Sequence, residues 1–333
     1  MKVFLTGATG FIGSKLALKL AESGYYVNAL VRSVSRAKKT VNHQNITYFE
    51  GNLDSQEVYK KAMKDCKEAY LLAAFAQVWH KNSDMFYDIN VRQNFNLIKA
   101  AHENGISKVV LTSTAGVFGP SKNTELVNEN SSLWTPLTTH YENSKLEAET
   151  EIKKYTKSTG KHVVIVNPTR VYGPGKLSPS NSVTRMIKEF YEGKWHIYPG
   201  NGNAVGNYVF VEDVLNGHLL AMRNGVSGEN YILGGEHASY KELFKKVYAI
   251  SGKKTWLLGI PIWVMKFIAK CQMALIPLTG KGPLLTTGFV KKYTYSWKNS
   301  SEKAAKELGY TCRSLEEGIK SVIDWTRKEH THS

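Results

Sequence analysis

The sequence predicts an α/β protein in which a doubly wound parallel sheet is followed by a smaller C-terminal lobe. Over the first two-thirds of the 333 residues, short β-branched runs alternate with amphipathic stretches, which is typical of parallel strands joined by crossover helices. A glycine-rich turn joins the first of these runs to the first helical stretch. After Pro168 the alternation breaks into loops rich in Gly, Pro and Asn, which indicates a second structural unit.

The individual elements can be placed in chain order. The predicted strands are residues 2–6, 26–31, 46–49, 69–72, 108–112 and 162–166, with a late strand at 230–233. The predicted helices include residues 14–23, 55–64, 85–104 and 140–159, which have helical apolar spacing and can cover both sheet faces. We predict a sheet domain of residues 1–168 with return segments at about 203–233, and a lobe of residues 169–202 and 234–330. Ligands of open α/β sheets bind at the carboxyl edge, so the lobe is expected to supply the substrate side of the cleft.

Charge and cysteine usage narrow the class of protein. The formal net charge of +16 makes anionic partners such as nucleotides, nucleic acid or a membrane surface candidates. No zinc-finger or RNP-type motif accompanies the basic runs, so nucleic-acid binding is not predicted. Cys66, Cys271 and Cys312 are far apart and lack metal-ligand spacing, so we predict no metal site and a reducing compartment. Because Met1 leads directly into a strand pattern with no signal peptide, a cytoplasmic location is predicted.

The most apolar segment of the chain is residues 256–278. Lys266, Lys270 and two interior prolines, Pro261 and Pro277, argue against a membrane-spanning helix of about 20 apolar residues. We expect a buried or capping helix here, and the alternative is peripheral membrane contact by an amphipathic surface.

The glycine-rich turn predicts a phosphate-binding loop of the Rossmann type. The strand at 2–6 runs into Thr6-Gly7-Ala8-Thr9-Gly10-Phe11-Ile12-Gly13 and then directly into a helical pattern. Gly7 permits a tight turn, Gly10 lets the backbone approach a pyrophosphate, and Gly13 allows close helix packing. The N–H groups that begin the helix, around Thr9, Phe11 and Ile12, would face the phosphates.

The end of the second strand bears on the choice of cofactor. An NAD-selective enzyme places an Asp or Glu there for the ribose hydroxyls, but this chain has Arg32-Ser33, with Arg36 and Lys39 nearby. A guanidinium is suited to bind a 2′-phosphate, so NADP(H) is favoured over NAD(H). If Arg32 instead stacks on adenine or faces solvent, NAD(H) can be used.

A Tyr-x-x-x-Lys pair, Tyr141 and Lys145, predicts acid/base chemistry. Residues four apart share a face of a helix, and an ammonium beside a phenol favours the phenolate, so the phenol can exchange a proton with a carbonyl or alcohol oxygen. The same spacing at Tyr172 and Lys176 is discarded because Gly-Pro-Gly lies between them. Upstream, Ser113-Thr114 follows the strand at 108–112 and offers hydroxyls at the sheet edge.

In this order and together, the motifs resemble the extended short-chain dehydrogenase/reductase family over nearly the whole chain. The resemblance implies that Thr114 orients the substrate oxygen, Tyr141 is the acid/base and also contacts the cofactor, Lys145 anchors the nicotinamide ribose and Asn90 belongs to a water relay. It also implies further cofactor contacts from Asn52, Leu53, Ala73, Ala74 and Pro168. Two positions depart from the family pattern: Thr114 stands where Ser is usual, and Asn52 where Asp is usual. If Ser113 is the working hydroxyl, the assignment to Thr114 fails and the reaction class is unchanged.

Within that family the chain looks most like the dihydroflavonol-reductase-like branch, on Leu30-Val31-Arg32-Ser33, Gly217-His218-Leu219-Leu220-Ala221 and Lys306-Glu307-Leu308-Gly309-Tyr310. The resemblance implies NADPH-dependent reduction of a ketone or aldehyde and a homodimer built from surface helices. The predicted pocket walls are Phe75, Trp79, Phe118, Tyr172 and Tyr208, each of which could instead be a core aromatic. One alternative is a nucleotide-sugar epimerase or dehydratase with bound NAD. Another is an inactive nucleotide-sensing regulator, against which the intact Tyr/Lys pair argues.

Overall fold

The strands of the computed structural model form one large sheet and two small ones, and the structure describes residues 1–178, 181–280 and 282–331. The strands are β1 (Lys2–Thr6), β2 (Tyr26–Val31), β3 (Ile46–Glu50), β4 (Glu68–Leu71), β5 (Lys108–Thr112), β6 (His162–Pro168), β7 (Arg170–Tyr172), β8 (Ile197–Pro199), β9 (Val205–Phe210), β10 (Asn230–Leu233), β11 (Glu236–Ser239) and β12 (Leu258–Ile260). Seven of them form a parallel sheet in the order β10-β6-β5-β4-β1-β2-β3. The predicted α/β fold with a doubly wound parallel sheet is confirmed.

Helices connect these strands and cover the sheet. The helices are α1 (Phe11–Glu22), α2 (Val34–Thr40), α3 (Gln56–Met63), α4 (Asp84–Tyr87), α5 (Asn94–Glu103), α6 (His140–Thr159), α7 (Ser182–Tyr191), α8 (Val211–Asn224), α9 (Tyr240–Ser251), α10 (Ile262–Ala274), α11 (Ile276–Thr279), α12 (Thr287–Lys292), α13 (Glu302–Leu308) and α14 (Leu315–Thr331). A π-helical turn at Asp88–Gln93 lies between α4 and α5, and a 3-10 turn at Ala115–Phe118 follows β5. The helix predicted at 140–159 has those same bounds.

The large sheet is buried on both faces because its strands are almost continuously apolar. Along β1, Val3 and Leu5 belong to one apolar cluster with residues of α1 and α8, and Phe4 belongs to a second cluster with residues of α3 and α5. Burial on both faces is the usual state of a parallel sheet with crossover helices. As a result, polar side chains of the site collect at the carboxyl edge.

The remaining strands form two small sheets. β11, β9 and β7 form a three-stranded sheet, and β12 pairs with β8. Within the predicted return segments, β10 joins the large sheet and α8 contacts β6, whereas β9 lies in the three-stranded sheet. A bidentate ion pair between Arg313 and the buried Asp213 joins α8 to the chain just before α14.

The apolar segment at 256–278 does not form the expected buried helix. Ala269 is the one residue of α10 that is buried, while Trp263 is 72% exposed and Phe267 is 63% exposed. Within the described ranges, no helix has the length and apolar character needed to span a bilayer.

Candidate active site

The glycine-rich loop lies at the carboxyl end of β1, pressed against the end of β4. Gly7 has φ +79°, and a Cβ atom on it would approach the Ala73 nitrogen to 2.8 Å. A Cβ atom on Gly13 would lie 2.1 Å from the Gly7 carbonyl oxygen. These two positions therefore exclude any side chain, in agreement with the roles predicted for them.

The loop fits the pyrophosphate of a dinucleotide. No side chain caps the N-terminus of α1, and Thr9 and Gly10 are exposed while Phe11 and Ile12 are half-buried. The N–H groups of the first helical turn are thus available to an anion, and the helix dipole favours negative charge there. Thr6 supports the loop by accepting a hydrogen bond from the Ala73 N–H at 3.2 Å.

The end of β2, where the sequence predicts selection of the cofactor, has the exposed cation Arg32 and one acid, Glu50, that the sequence analysis missed. Arg32 is exposed, and no described carboxylate lies within ion-pair distance of it. Ser33 caps α2 by accepting from the Arg36 N–H, and the Glu50 carboxylate accepts from the Val34 N–H at 2.9 Å. The pairing of Val31 with Glu50 brings this carboxylate to the end of β2, so an acid directly after the third predicted strand, 46–49, was the available signal.

The remaining predicted cofactor residues lie at or near the same sheet edge. Asn52 is exposed after β3, and its N–H donates to the Ser55 hydroxyl at 3.0 Å, while Leu53 is half-buried. Ala73 and the exposed Ala74 follow β4, and the buried Pro168 ends β6. The exposed Lys39 lies in the last turn of α2.

The Tyr/Lys pair lies near the start of α6, which is capped by the Thr139 side chain. Lys145 is only 1% exposed, and its ammonium donates to the Thr112 carbonyl oxygen at 2.8 Å. Burial lowers the pKa of Lys145 to about 8, and the Glu149 carboxylate opposes this shift. The pKa of Tyr141 is raised, first by burial and then by the Glu142 carboxylate, so the phenol keeps its proton at neutral pH. This direction is opposite to the shift expected from a neighbouring ammonium alone.

A buried carboxylate, Glu149, lies one helical turn beyond Lys145 and was missed by the sequence analysis. It accepts from the amide groups of Asn167 at 2.7 Å and Asn230 at 2.9 Å. The Asn167 amide also donates to the Thr114 carbonyl oxygen at 3.1 Å. Burial raises the pKa of Glu149 and these amides lower it. The repeated spacing of four residues from Tyr141 through Lys145 to Glu149 was the signal that could have identified it.

The two candidate hydroxyls after β5 differ in exposure. Ser113 is buried, and its N–H donates to the Val166 carbonyl oxygen at 2.8 Å. Thr114 is half-buried and caps the following 3-10 turn by accepting from the Gly116 N–H. Of the two hydroxyls, that of Thr114 is the more accessible to a substrate.

Asn90 lies in the π-helical turn, a feature often found at functional sites. Its side chain accepts from the Phe75 N–H at 2.8 Å and donates to the Ser144 hydroxyl at 3.0 Å. Because Ser144 precedes Lys145, Asn90 connects the loop after β4 to the Tyr/Lys helix. Every polar atom of its side chain has a protein partner.

The five predicted pocket walls divide into two groups. Phe75 and Trp79 are half-buried in the loop after β4, where a substrate can reach them. Phe118, Tyr172 and Tyr208 are buried in apolar clusters, which favours the core interpretation for these three.

A long-range ion pair lies next to Tyr141 in the sequence and joins α6 to α12. Glu142 is 1% exposed, accepts from the Thr139 hydroxyl at 2.9 Å and pairs with Lys292 of α12. A Cβ atom on Gly116 would lie 2.8 Å from the Glu142 carboxylate, so this glycine makes room for the pair. Helix α12 is thereby attached to the first turn of the Tyr/Lys helix.

The glycine loop can be tested with Gly13→Ala. The new methyl group would collide with the Gly7 carbonyl oxygen, so we expect dinucleotide affinity to fall by at least about tenfold in a calorimetric titration. Gly24→Ala is the matched control, because Gly24 follows the same helix with φ +85° and nothing lies within 4 Å of its Cβ position. Equal affinity of the Gly13→Ala variant and the wild type would contradict the assignment of this loop.

The buried Lys145 ammonium predicts a pH-dependent stability. Its folded-state pKa of about 8 lies below the ordinary lysine value of 10.5, so the unfolded chain binds more protons between these values. The free energy of unfolding should therefore rise with pH across this window, relative to Lys145→Met. Denaturant unfolding of both proteins at several pH values measures that difference. A difference that stays constant with pH would refute the lowered pKa.

Comparison with known proteins identifies the family of this chain. Residues 3–234 match the NAD dependent epimerase/dehydratase family. A Synechocystis protein provisionally named dihydroflavonol 4-reductase is 29% identical over 97% of this chain and 93% of its own length. Sterol demethylase protein B of Methylococcus capsulatus is 27% identical over 98% of this chain and 99% of its own length. The structure of UDP-glucuronic acid 4-epimerase from Bacillus cereus with NAD superposes with a TM-score of 0.78 at 24% identity, covering 99% of this chain and 100% of that one.

The family match extends from β1 through β10 and so includes the glycine loop, the Tyr/Lys helix and the whole of the large sheet. The chain belongs to the NAD-dependent epimerase/dehydratase family and is an NAD(P)-dependent enzyme of the extended short-chain dehydrogenase/reductase type.

Proposed function

We propose that this enzyme is an NADPH-dependent reductase of a hydrophobic ketone or aldehyde, with Tyr141 as the general acid. The observation that carries the proposal is the position of Tyr141: the residue is half-buried on α6, one helical turn before the buried Lys145 ammonium, and burial raises the pKa of its phenol. A carbonyl that is being reduced becomes an alkoxide, which is far more basic than a phenolate. Proton transfer from Tyr141 to the substrate oxygen is therefore downhill.

The residues around Tyr141 position the substrate oxygen and stabilise the charge that develops during proton transfer. When bound, the nicotinamide dinucleotide supplies the hydride. The Thr114 hydroxyl donates a hydrogen bond to the substrate oxygen and holds it beside the Tyr141 phenol. With a pKa of about 8, Lys145 is mostly charged at neutral pH, so its ammonium stabilises the phenolate left after proton transfer and can bind a ribose hydroxyl. The contact of Lys145 with the Thr112 carbonyl oxygen holds that charge in place.

Arg32 supports the choice of NADPH. Its exposed guanidinium has no described acid partner and lies at the end of β2, where a dinucleotide presents its adenine ribose. Glu50 weakens the argument for NADPH, because its carboxylate lies in the same region and would repel a 2′-phosphate. The Val34 N–H engages that carboxylate, which reduces its effect on a phosphate bound by Arg32.

A hydrophobic substrate is supported by the relatives and by the aromatic loop. The names of two relatives that match nearly the whole chain refer to polycyclic compounds, a dihydroflavonol and a sterol. Phe75 and Trp79 offer half-buried aromatic surface near the site, as an apolar ring system requires. We therefore propose a polycyclic or similarly apolar carbonyl compound, or the corresponding alcohol, as the small-molecule substrate.

The second candidate is a nucleotide-sugar epimerase or dehydratase with bound NAD. The carboxylate of Glu50 near the end of β2 favours it, because an acid in this region suits unphosphorylated ribose. Solved structures of similar fold include UDP-glucuronic acid 4-epimerase and dTDP-glucose 4,6-dehydratase, both with NAD; their identity to this chain, 21–24%, supports the fold alone. Against this candidate stands Arg32, at the position where such an enzyme carries its acid. The intact Tyr141/Lys145 pair argues against an inactive sensor.

Tyr141→Phe tests the acid/base assignment. Removing one hydroxyl should lower kcat/KM for a ketone or aldehyde substrate by at least about 100-fold and leave NADPH affinity within about twofold. Tyr26→Phe, an exposed tyrosine at the start of β2, is the matched control. Near-wild-type turnover by the Tyr141→Phe variant would exclude the mechanism.

Arg32→Ala tests cofactor choice by titration with NADPH and NADH. Loss of a charge-assisted phosphate contact should weaken NADPH binding by about 10- to 100-fold and leave NADH binding unchanged. Arg185→Ala, an exposed arginine on α7, controls for the loss of one surface charge. A wild-type preference for NADH, or NAD retained through purification, would contradict the NADPH-dependent reductase and favour a nucleotide-sugar epimerase or dehydratase.

A further inference from the structure

Helix α10 has an apolar outer surface that no described residue covers. Trp263 and Phe267 are four residues apart and so share one face, and they are 72% and 63% exposed. Ile268 on the same helix is 42% exposed. The flanking segments add Trp256, Leu258 and Leu284, which are 66%, 56% and 82% exposed. Apolar exposure concentrated in this way marks an interaction surface.

The chain around α10 carries positive charge only. Between Glu242 and Glu302 the sequence has ten lysines and no Asp or Glu. Of the nine that the structure describes, Lys246 and Lys292 form ion pairs with acids outside this segment. Lys266 and Lys270 are exposed, lie beside the Trp263/Phe267 face and have no ion pair among the described residues.

We infer that the outer surface of α10, with Trp263, Phe267, Lys266 and Lys270, docks on an anionic lipid bilayer. Tryptophan is favoured at the boundary between headgroups and acyl chains, and lysine extends its ammonium to the phosphate level. A helix of 13 residues lying in the membrane plane can bury its apolar face there while its lysines bind anionic headgroups. A partner of this surface must therefore offer both an apolar layer for the aromatic side chains and negative charge for the lysines.

The charge pattern also decides against a second copy of the chain as the occupant. In a two-fold symmetric contact the same patch meets itself, so Lys266 and Lys270 would face their own counterparts. No acid in residues 243–301 is present to offset that repulsion. A bilayer with anionic headgroups supplies both the apolar layer and the negative charge.

The docking surface adjoins the candidate active site. The Gln272 side chain of α10 accepts from the Leu284 N–H at 2.9 Å, and a Cβ atom on the nearby Gly282 would lie 2.9 Å from the Trp79 ring. Further along, the Thr138 hydroxyl donates to the Gly288 carbonyl oxygen at 2.9 Å, just before α6 begins. An apolar substrate dissolved in the bilayer would therefore have a short path to the site. This last step rests on the proposed function, whereas the docking itself does not.

Co-sedimentation of the full chain with vesicles tests the docking without any substrate. We expect binding to vesicles of phosphatidylcholine with phosphatidylglycerol that weakens as salt is raised, and much weaker binding to phosphatidylcholine alone. Lys266→Gln with Lys270→Gln should weaken binding by about 25-fold, at about fivefold for each lysine. Trp263→Ala with Phe267→Ala should weaken it by at least about tenfold. Lys60→Gln with Lys61→Gln on α3 and Tyr26→Ala are the matched controls and should bind as the wild type does.

Thermal unfolding and NADPH titration of each variant verify that the fold is intact, since the replaced α10 side chains are exposed. Absence of wild-type binding to anionic vesicles at low salt would overturn the inference. So would unchanged binding of both α10 double variants. A wild-type dimer that dissociates in the Trp263/Phe267 variant would assign the surface to a protein contact instead. A failed docking test leaves the reductase assignment untouched, because Tyr141→Phe is assayed without lipid.

Discussion

The site depends most on the way α6 is held against the ends of β5 and β6 by buried polar contacts. Lys145 donates to the Thr112 carbonyl oxygen, and Glu149 accepts from the amides of Asn167 and Asn230. Buried charged groups are costly unless they are hydrogen-bonded, so a rotation or slip of the helix would leave several of them unpaired. This requirement keeps α6 in one register and thereby places Tyr141 at the carboxyl edge of the sheet.

The positions of the loop after β4 and of α12 depend on contacts with the same helix. Asn90 binds both Phe75 and Ser144, so the aromatic loop and the Tyr/Lys turn are fixed relative to each other. On the opposite side, the pair between Glu142 and Lys292 connects α6 to α12. The chain from α12 back to α10 carries the exposed apolar surface. The candidate chemistry and the candidate membrane contact therefore lie close together in the part of the chain that the structure describes.

Much of the fold and part of the site could be predicted from sequence because their causes are local. Apolar periodicity located the strands and α6, and the glycine loop could be recognised because Gly7 and Gly13 are required by sterics between neighbouring segments. The pocket walls were less predictable. Periodicity does not distinguish an aromatic that lines a cleft from one inside a core, and Phe118, Tyr172 and Tyr208 are buried.

The sequence by itself determined the parallel sheet, the phosphate loop and the Tyr/Lys pair, since each is encoded by residues close together in the chain. Only the tertiary structure decided the rest. It brought Glu50 beside the end of β2 and the amides of Asn167 and Asn230 onto Glu149, contacts that join residues distant in sequence. It also decided that α10 lies on the surface, because an apolar helix has the same sequence pattern whether a core or another surface covers it. The physical reason is the same in each case. Local sequence patterns specify helices and strands, whereas the burial of their side chains depends on which distant segments of the chain pack against them.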